Sequence, residues 1–322
     1  MGPRRMRHPA IYRVAWPLRW FVLAPLSAVF RVLIGTAGVF GTPLTTSLLR
    51  FVLAPVARAG RGRRLHNYRK VFGPFSRKRF AAIDSEYSRY LVRMNADFIL
   101  RARVTPAAFR TLINLRGREH LDRALREGRG AVVIGTHVGN WTNAAALLSA
   151  WGYPVTVAAY ELPIRSLEDH LQRSSHRFGL TVIAVGDGVP SAARAVIRRK
   201  EIFLLLFDVS VRPRRSARLP LGNATILVDP GTIRMVLMLG APILRISSAY
   251  DAAFNTTVTL HPLSVPTPAP DEEQWQTVAR RWLSGLHDEL CERPGQWWAW
   301  PLVDLRPVEV SDAIPASEAV LL

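Results

Sequence analysis

The chain has 322 residues, 49% of them hydrophobic and 21% charged, a composition that buries a core and excludes a disordered chain. Its single cysteine, Cys291, excludes a disulfide framework and any zinc ribbon or iron–sulfur cluster built on its own thiolates, and suits a reducing compartment. The formal charge of +19 is local: sixteen basic residues precede the first acidic one, Asp84, leaving 27 basic residues against the 24 acidic ones.

From the N-terminus, Trp20 to Phe30 and Val32 to Leu49 are uncharged, separated by Arg31 and closed by Arg50. The second stretch, 18 residues, is just long enough to span a bilayer. Gly35, Gly38, Gly41 and Pro43 interrupt it and Pro25 breaks the first, so a hairpin or interfacial helices are expected ahead of a straight spanning helix. A buried core hairpin is the alternative. No small-residue cleavage site follows a single short apolar core, which argues against a signal peptide, and the Arg-rich segment after Arg58 would hold the rest on the cytoplasmic face of the cell membrane. A basic arm of this kind contacts anionic lipid or nucleic-acid phosphate, each cation being worth roughly 1 kcal/mol at an anionic membrane; charge does not choose between them.

Tyr87, Tyr90, Leu91, Met94 and Phe98 recur at helical spacing, and Glu119 to Glu127 reads as a short helix ended by Gly128. The continuous apolar run Ala131 to Gly135 reads as a strand buried on both faces, followed by helical composition over Asn143 to Ala150. The alternation continues with strands over Val155 to Ala159, Thr181 to Val185 and Ile202 to Phe207, and helices over Ser166 to Arg177 and Ser191 to Arg199. Further strands are expected at Ile243 to Ser247 and Thr257 to Leu260, and a long helix over Glu272 to Leu290. The pattern predicts an α/β domain with a largely parallel central sheet flanked by helices. The expected division is a basic, apolar, membrane-associating segment (1–83), an α/β domain (84–307) and a weakly ordered tail (308–322).

Gly135 to Thr142 (GTHVGNWT) puts His137 where a buried strand ends and a helix begins. That edge is where open α/β sheets bind ligands, and a histidine there suits a general base on a hydroxyl or amine, with helix amides nearby for developing negative charge. A satisfied structural histidine is the competing reading. Asp208 closes the strand at Ile202, with Arg212, Arg214, Arg215 and Arg218 behind it, a cluster suited to an acyl-carrier surface, a pantetheine phosphate or tRNA, or a plain solvated loop. Trp297, Trp298 and Trp300 are expected to pack on the body or meet a membrane interface. No metal-binding motif, Walker A loop or dinucleotide fingerprint occurs.

Around these residues lie LRGREHL (Leu115 to Leu121), HVGNW (His137 to Trp141), AYELPIRSLEDHLQRSSHRFG (Ala159 to Gly179), RLPLGNATILVDPG (Arg218 to Gly231), GAPIL (Gly240 to Leu244) and RPGQWWAW (Arg293 to Trp300). In order and spacing the sequence resembles the bacterial lipid A biosynthesis (lauroyl/myristoyl) acyltransferase family, whose mycobacterial relatives acylate phosphatidylinositol mannosides. The resemblance implies the glycerolipid-acyltransferase α/β fold and transfer of an acyl group from an acyl-carrier-protein or coenzyme A thioester, with no bound cofactor. It also implies a membrane lipid as partner.

It carries His137 over as the base and puts Thr142 at the second catalytic position, with Asn140, Trp141, Arg177, Asp208 and Arg218 as substrate-binding candidates; Arg177 also reads as part of a solvated helix face. The family motif is the histidine, four residues, then Asp or Glu, and at that last position this chain has Thr142. Threonine can hydrogen-bond an imidazole but cannot stabilise imidazolium by charge. Three readings stand: a more nucleophilic acceptor such as an amine or hydroxylamine, with aminoacyl-tRNA as the alternative donor in specialised metabolism; another acid, such as Glu161 or Asp208; or a non-catalytic relative that binds lipid.

Overall fold

The computed structural model describes residues 16–209, 216–263 and 272–307. Arg4, Arg5, Arg7 and Arg13 of the basic arm, Arg212, Arg214 and Arg215, and the tail from Val308 lie outside the described residues. In chain order the first elements are α1 (Trp16–Ala59), α2 (Arg61–Phe72), α3 (Arg77–Leu100), α4 (Pro106–Leu112), β1 (Ile113–Arg116), α5 (Arg118–Arg126) and β2 (Ala131–Gly135). Then follow α6 (Trp141–Ala150), β3 (Val155–Ala159), α7 (Arg165–Arg177), β4 (Thr181–Ala184), α8 (Val189–Arg198) and β5 (Ile202–Leu206). The last are β6 (Ala217–Leu221), β7 (Ala224–Val228), α9 (Pro230–Met238), β8 (Ile243–Tyr250), β9 (Thr256–Pro262), α10 (Glu272–Glu292) and β10 (Arg306–Pro307).

The main sheet has the order β1-β9-β8-β2-β5-β3-β4 and is mixed but mostly parallel: only the β8–β9 pair is antiparallel. β2 lies between β5 and β8, hydrogen-bonded on both sides, and all five of its residues are buried. Val132 and Ile134 enter one core with Phe203 and Leu205, while Ala131 and Val133 enter a second with Ile202 and Leu204. A strand with helices on both faces must be apolar at every position, which is why β2 and β5 read as continuous runs and not as alternation. β6, β7 and β10 form a separate antiparallel sheet.

The first core is closed by α10, whose Trp275, Val278, Ala279, Trp282, Leu283, Leu286 and Leu290 are buried at the i, i+3, i+4 spacing of one helical face. Each large apolar side chain buried there is worth about 1.5–3 kcal/mol of transfer free energy. The segment after α10 folds back under α2 and α3: Trp300 packs on Tyr68 with ring centroids 4.3 Å apart, and the Asn67 side-chain amide donates to the Trp300 carbonyl at 2.8 Å. Arg64, buried, donates to Asp84 at 3.0 Å and lies 4.3 Å over the Tyr87 ring, joining α2 to α3.

The expected hairpin between residues 20 and 49 does not form. The stretch belongs to the single 44-residue helix α1, with Pro25, Pro43 and Pro55 inside it. An internal proline costs about 3 kcal/mol locally. Tertiary packing outweighs that term, because Phe30, Leu33 and Leu49 bury against Val92, Ala96 and Ile99 of α3, with Leu167 and Leu171 of α7 beside them. Among the described residues, no helix is long and apolar enough to cross a membrane. The strands β1, β6 and β7 and the helix α9 are additions to the elements expected from sequence.

The β2–α6 connection is fixed by a close backbone approach. Gly139 has φ +60°, and a Cβ there would lie 2.1 Å from the Ser248 carbonyl oxygen of β8. Its N–H donates to the Gln296 carbonyl at 2.9 Å and its own carbonyl accepts from the Tyr90 hydroxyl at 3.1 Å. Gly139→Ala therefore forces both a left-handed backbone and a collision with backbone atoms. It is expected to destabilise the fold by about 2–4 kcal/mol, read as a lower urea midpoint at unchanged slope; an unchanged midpoint would show that the loop does not dock on β8.

Candidate active site

β2 delivers Thr136 and His137 to the carboxyl edge of the sheet, and its neighbour β5 delivers Asp208 to the same edge, since Gly135 pairs with Leu206. The His137 Nδ1 atom lies 2.6 Å from Asp208 Oδ1. The His137 backbone N–H donates to Asp208 Oδ2 at 2.8 Å, and the Trp297 indole N–H donates to the same oxygen at 2.7 Å. Asp208 is 0% exposed, so a lone charge there would be costly; these donors and the imidazole compensate it. Burial works to raise its carboxyl pKa, but the opposing charge of His137 and the hydrogen bonds from His137 and Trp297 win, holding it below the usual carboxylate range. With the acid ionised, Nδ1 carries the proton and Nε2 is the free, basic nitrogen.

The ring of His137 is boxed by tryptophans. Trp141 meets it edge to face at 4.7 Å and Trp298 lies tilted over it at 5.3 Å, while 16% of the His137 side chain remains exposed. The Trp298 N–H donates to the His137 carbonyl at 3.0 Å, and Val138 bridges Trp297 in antiparallel fashion. Beside the box, Thr136, Trp141, Ala144, Leu204, Leu206 and Ile246 line a small, mostly apolar cavity of about 10 Å³, room for about one water.

The other residues singled out by sequence fall into two groups. Asn140 sits in the same loop but is buried: its amide donates to Asp97 at 3.1 Å and Thr256 at 3.0 Å, and its backbone N–H to Ser248 at 2.8 Å. Thr142 directs its hydroxyl to Asn140 Oδ1 at 3.3 Å and its carbonyl accepts from Arg101 at 2.6 Å; its side chain makes no hydrogen bond to His137. The position where the family motif places an acid therefore faces the loop, and the carboxylate on the imidazole is that of Asp208. Arg177 is exposed at the end of α7 and donates to the Ala102 carbonyl, and Arg218 pairs with Asp304 at 2.7 Å on β6. Neither contacts His137.

The supporting set extends to residues that sequence reasoning passed over. Tyr250 donates to Asp97 Oδ2 at 2.9 Å and Arg93 pairs with Asp97 Oδ1 at 2.8 Å, so Asp97 collects Arg93, Tyr250 and Asn140. Burial pushes the Asp97 carboxyl up despite Arg93 and Tyr250. Arg101, buried, also donates to Ser174 at 2.9 Å, and burial lowers it to about 10. Only the aromatic spacing on α3, which included Tyr90, hinted at this layer.

An imidazole held by a buried carboxylate and still partly exposed suits abstraction of a proton from a nucleophile and its addition to an acyl carbonyl. No curated protein matches the chain. The family model described as bacterial lipid A biosynthesis acyltransferase matches residues 19–300, from within α1 to the last tryptophan of the His137 box region, and the chain belongs to that acyltransferase family.

Proposed function

We propose that the protein is a membrane-associated acyltransferase that moves an acyl group from an acyl-carrier-protein or coenzyme A thioester to a hydroxyl or amine, with His137 as general base and Asp208 as the acid that orients it. The observation carrying this reading is the 2.6 Å contact between His137 Nδ1 and the buried Asp208 carboxylate. His137 Nε2 takes the acceptor's proton as its oxygen or nitrogen attacks the thioester carbonyl. The tetrahedral intermediate then expels the thiolate, the C–S bond breaks, and the imidazolium returns the proton to sulfur. Asp208 offsets the positive charge that develops on the ring, a role a threonine cannot fill.

The acid contact also weighs on the alternatives. An amine or hydroxylamine acceptor, an aminoacyl-tRNA donor and a non-catalytic lipid binder were each motivated by Thr142, and Asp208 removes that motive. Part of the N-terminal excess of charge lies beside apolar surface. On α1, Val29, Val32, Leu44, Leu48, Phe51 and Val56 are exposed, Phe51 to 84%, with exposed Arg31, Arg50 and Arg58 among them. We assign this face to the surface of an anionic bilayer, the helix lying along it without crossing.

Full-length protein in anionic liposomes tests the chemistry through discharge of acyl thioesters, with charged tRNA as a parallel donor. His137→Ala and Asp208→Asn are expected to lower thioester discharge about 10²- to 10⁴-fold, and Thr142→Ala to change it by less than about threefold, on the order of 0.6 kcal/mol. Wild-type rates in Asp208→Asn, or discharge of tRNA alone, would overturn the assignment. For the membrane face, Leu48→Asp/Phe51→Asp is expected to weaken co-sedimentation with phosphatidylglycerol vesicles about tenfold or more, with folding checked by circular dichroism. Undiminished binding would place the lipid contact elsewhere.

A further inference from the structure

A second buried carboxylate lies under the same loop. Glu289 of α10 accepts from the Thr136 hydroxyl at 3.1 Å, one residue before His137, and forms an ion pair with Arg245 of β8. The Glu289 and Arg245 side chains are only 13% and 15% exposed, so the pair stands largely out of water. Gly285, one turn earlier on α10, clears the space for the guanidinium: a Cβ there would lie 2.6 Å from Arg245 Cζ. Residues 136 and 137 are thus held between two carboxylates, Glu289 on the Thr136 hydroxyl and Asp208 on the His137 backbone and ring.

We propose that Glu289 and Arg245 are a positioning pair for the dyad: Glu289 cancels the charge of Arg245 on β8, the strand next to β2, and so sets the pH at which the dyad takes up its proton. The inference rests on the His137–Asp208 reading above. A cation left uncompensated in a partly dry site opposes formation of imidazolium, because the interaction is weakly screened there. The charged and titratable groups around the pair are few. Asp208 comes from the end of β5, and His261 of β9 lies near Arg245, its pKa lowered by burial and then by that guanidinium. Of the basic residues on elements packed against α10, Arg234 of α9 lies over Trp275 and Arg218 of β6 pairs with Asp304.

Burial lifts the Glu289 carboxyl to about 7, against Arg245 and the Thr136 hydroxyl, with Asp208 adding to the rise. Protonating Glu289 removes the charge that compensates Arg245.

The test follows the imidazole by 15N NMR in the full-length protein, the dyad's signal being the one lost in His137→Gln, so it needs no acyl substrate. In Glu289→Gln the midpoint of dyad protonation is expected to fall by on the order of one pH unit. Adding Arg245→Met is expected to restore it, a recovery that a purely structural role would not give. Glu289→Met carries the same test should the glutamine variant not fold. An unmoved midpoint in the single variant, or a double variant displaced as far as the single, would overturn the proposal. Loss of acyl transfer without these shifts would count against this pair alone, and an intact set of shifts in a protein with no thioester discharge would count against the acyltransferase mechanism alone.

Discussion

The carboxylate of Asp208 is the constraint on which the rest of the site depends. A charge with no exposed surface must be matched by donors, and here they come from distant parts of the chain: the end of β2 through His137, and the segment after α10 through Trp297. The β2–β5 register brings the two strand ends together, and the packing of α10 on the sheet brings the tryptophans back over them. The ion is therefore both a tie between three chain segments and the partner that orients the imidazole. Removing it would cut both contacts to His137 and take away the opposite charge that its protonated form requires.

A continuous path of packed elements joins this site to the exposed apolar face of α1. That helix buries Phe30, Leu33 and Leu49 on α3, and α3 carries Tyr90 and Asp97 into the loop around His137. Tyr90 holds the Gly139 carbonyl and Asp97 holds the Asn140 amide, so the helix that packs on the buried face of α1 also supports the loop around His137. The arrangement places the apolar N-terminal segment within the support of the site and not merely as an appendage to it.

Much of the sheet was legible because burial on both faces leaves an unmistakable mark: AVVIG over β2 and IFLLL over β5 have no polar position to confuse the period. β1, four residues reading INLR with Asn114 and Arg116 exposed and Leu115 half-buried, has no such mark; its pairing with β9 defines it. The β6–β7 hairpin is similarly ambiguous, since its Arg218 and Pro220 interrupt the apolar pattern. α1 misled for the opposite reason: its prolines are strong local breakers, and only long-range burial keeps the helix continuous. At the site, the histidine was legible from its place after β2. Asp208 was one of two acids considered, and nothing local distinguishes it from Glu161; strand order does, because β5 lies beside β2.

The central claim is that the acid of this site lies just beyond the end of β5 and not five residues further along the loop from His137, at position 142. The most direct measurement is thioester discharge by Asp208→Asn carrying Thr142→Asp, which restores a carboxylate at the motif position. Because the Thr142 side chain points to Asn140 and not to the imidazole, activity is predicted to stay as low as in Asp208→Asn alone. Recovery of the wild-type rate would contradict the account and return the acid to position 142.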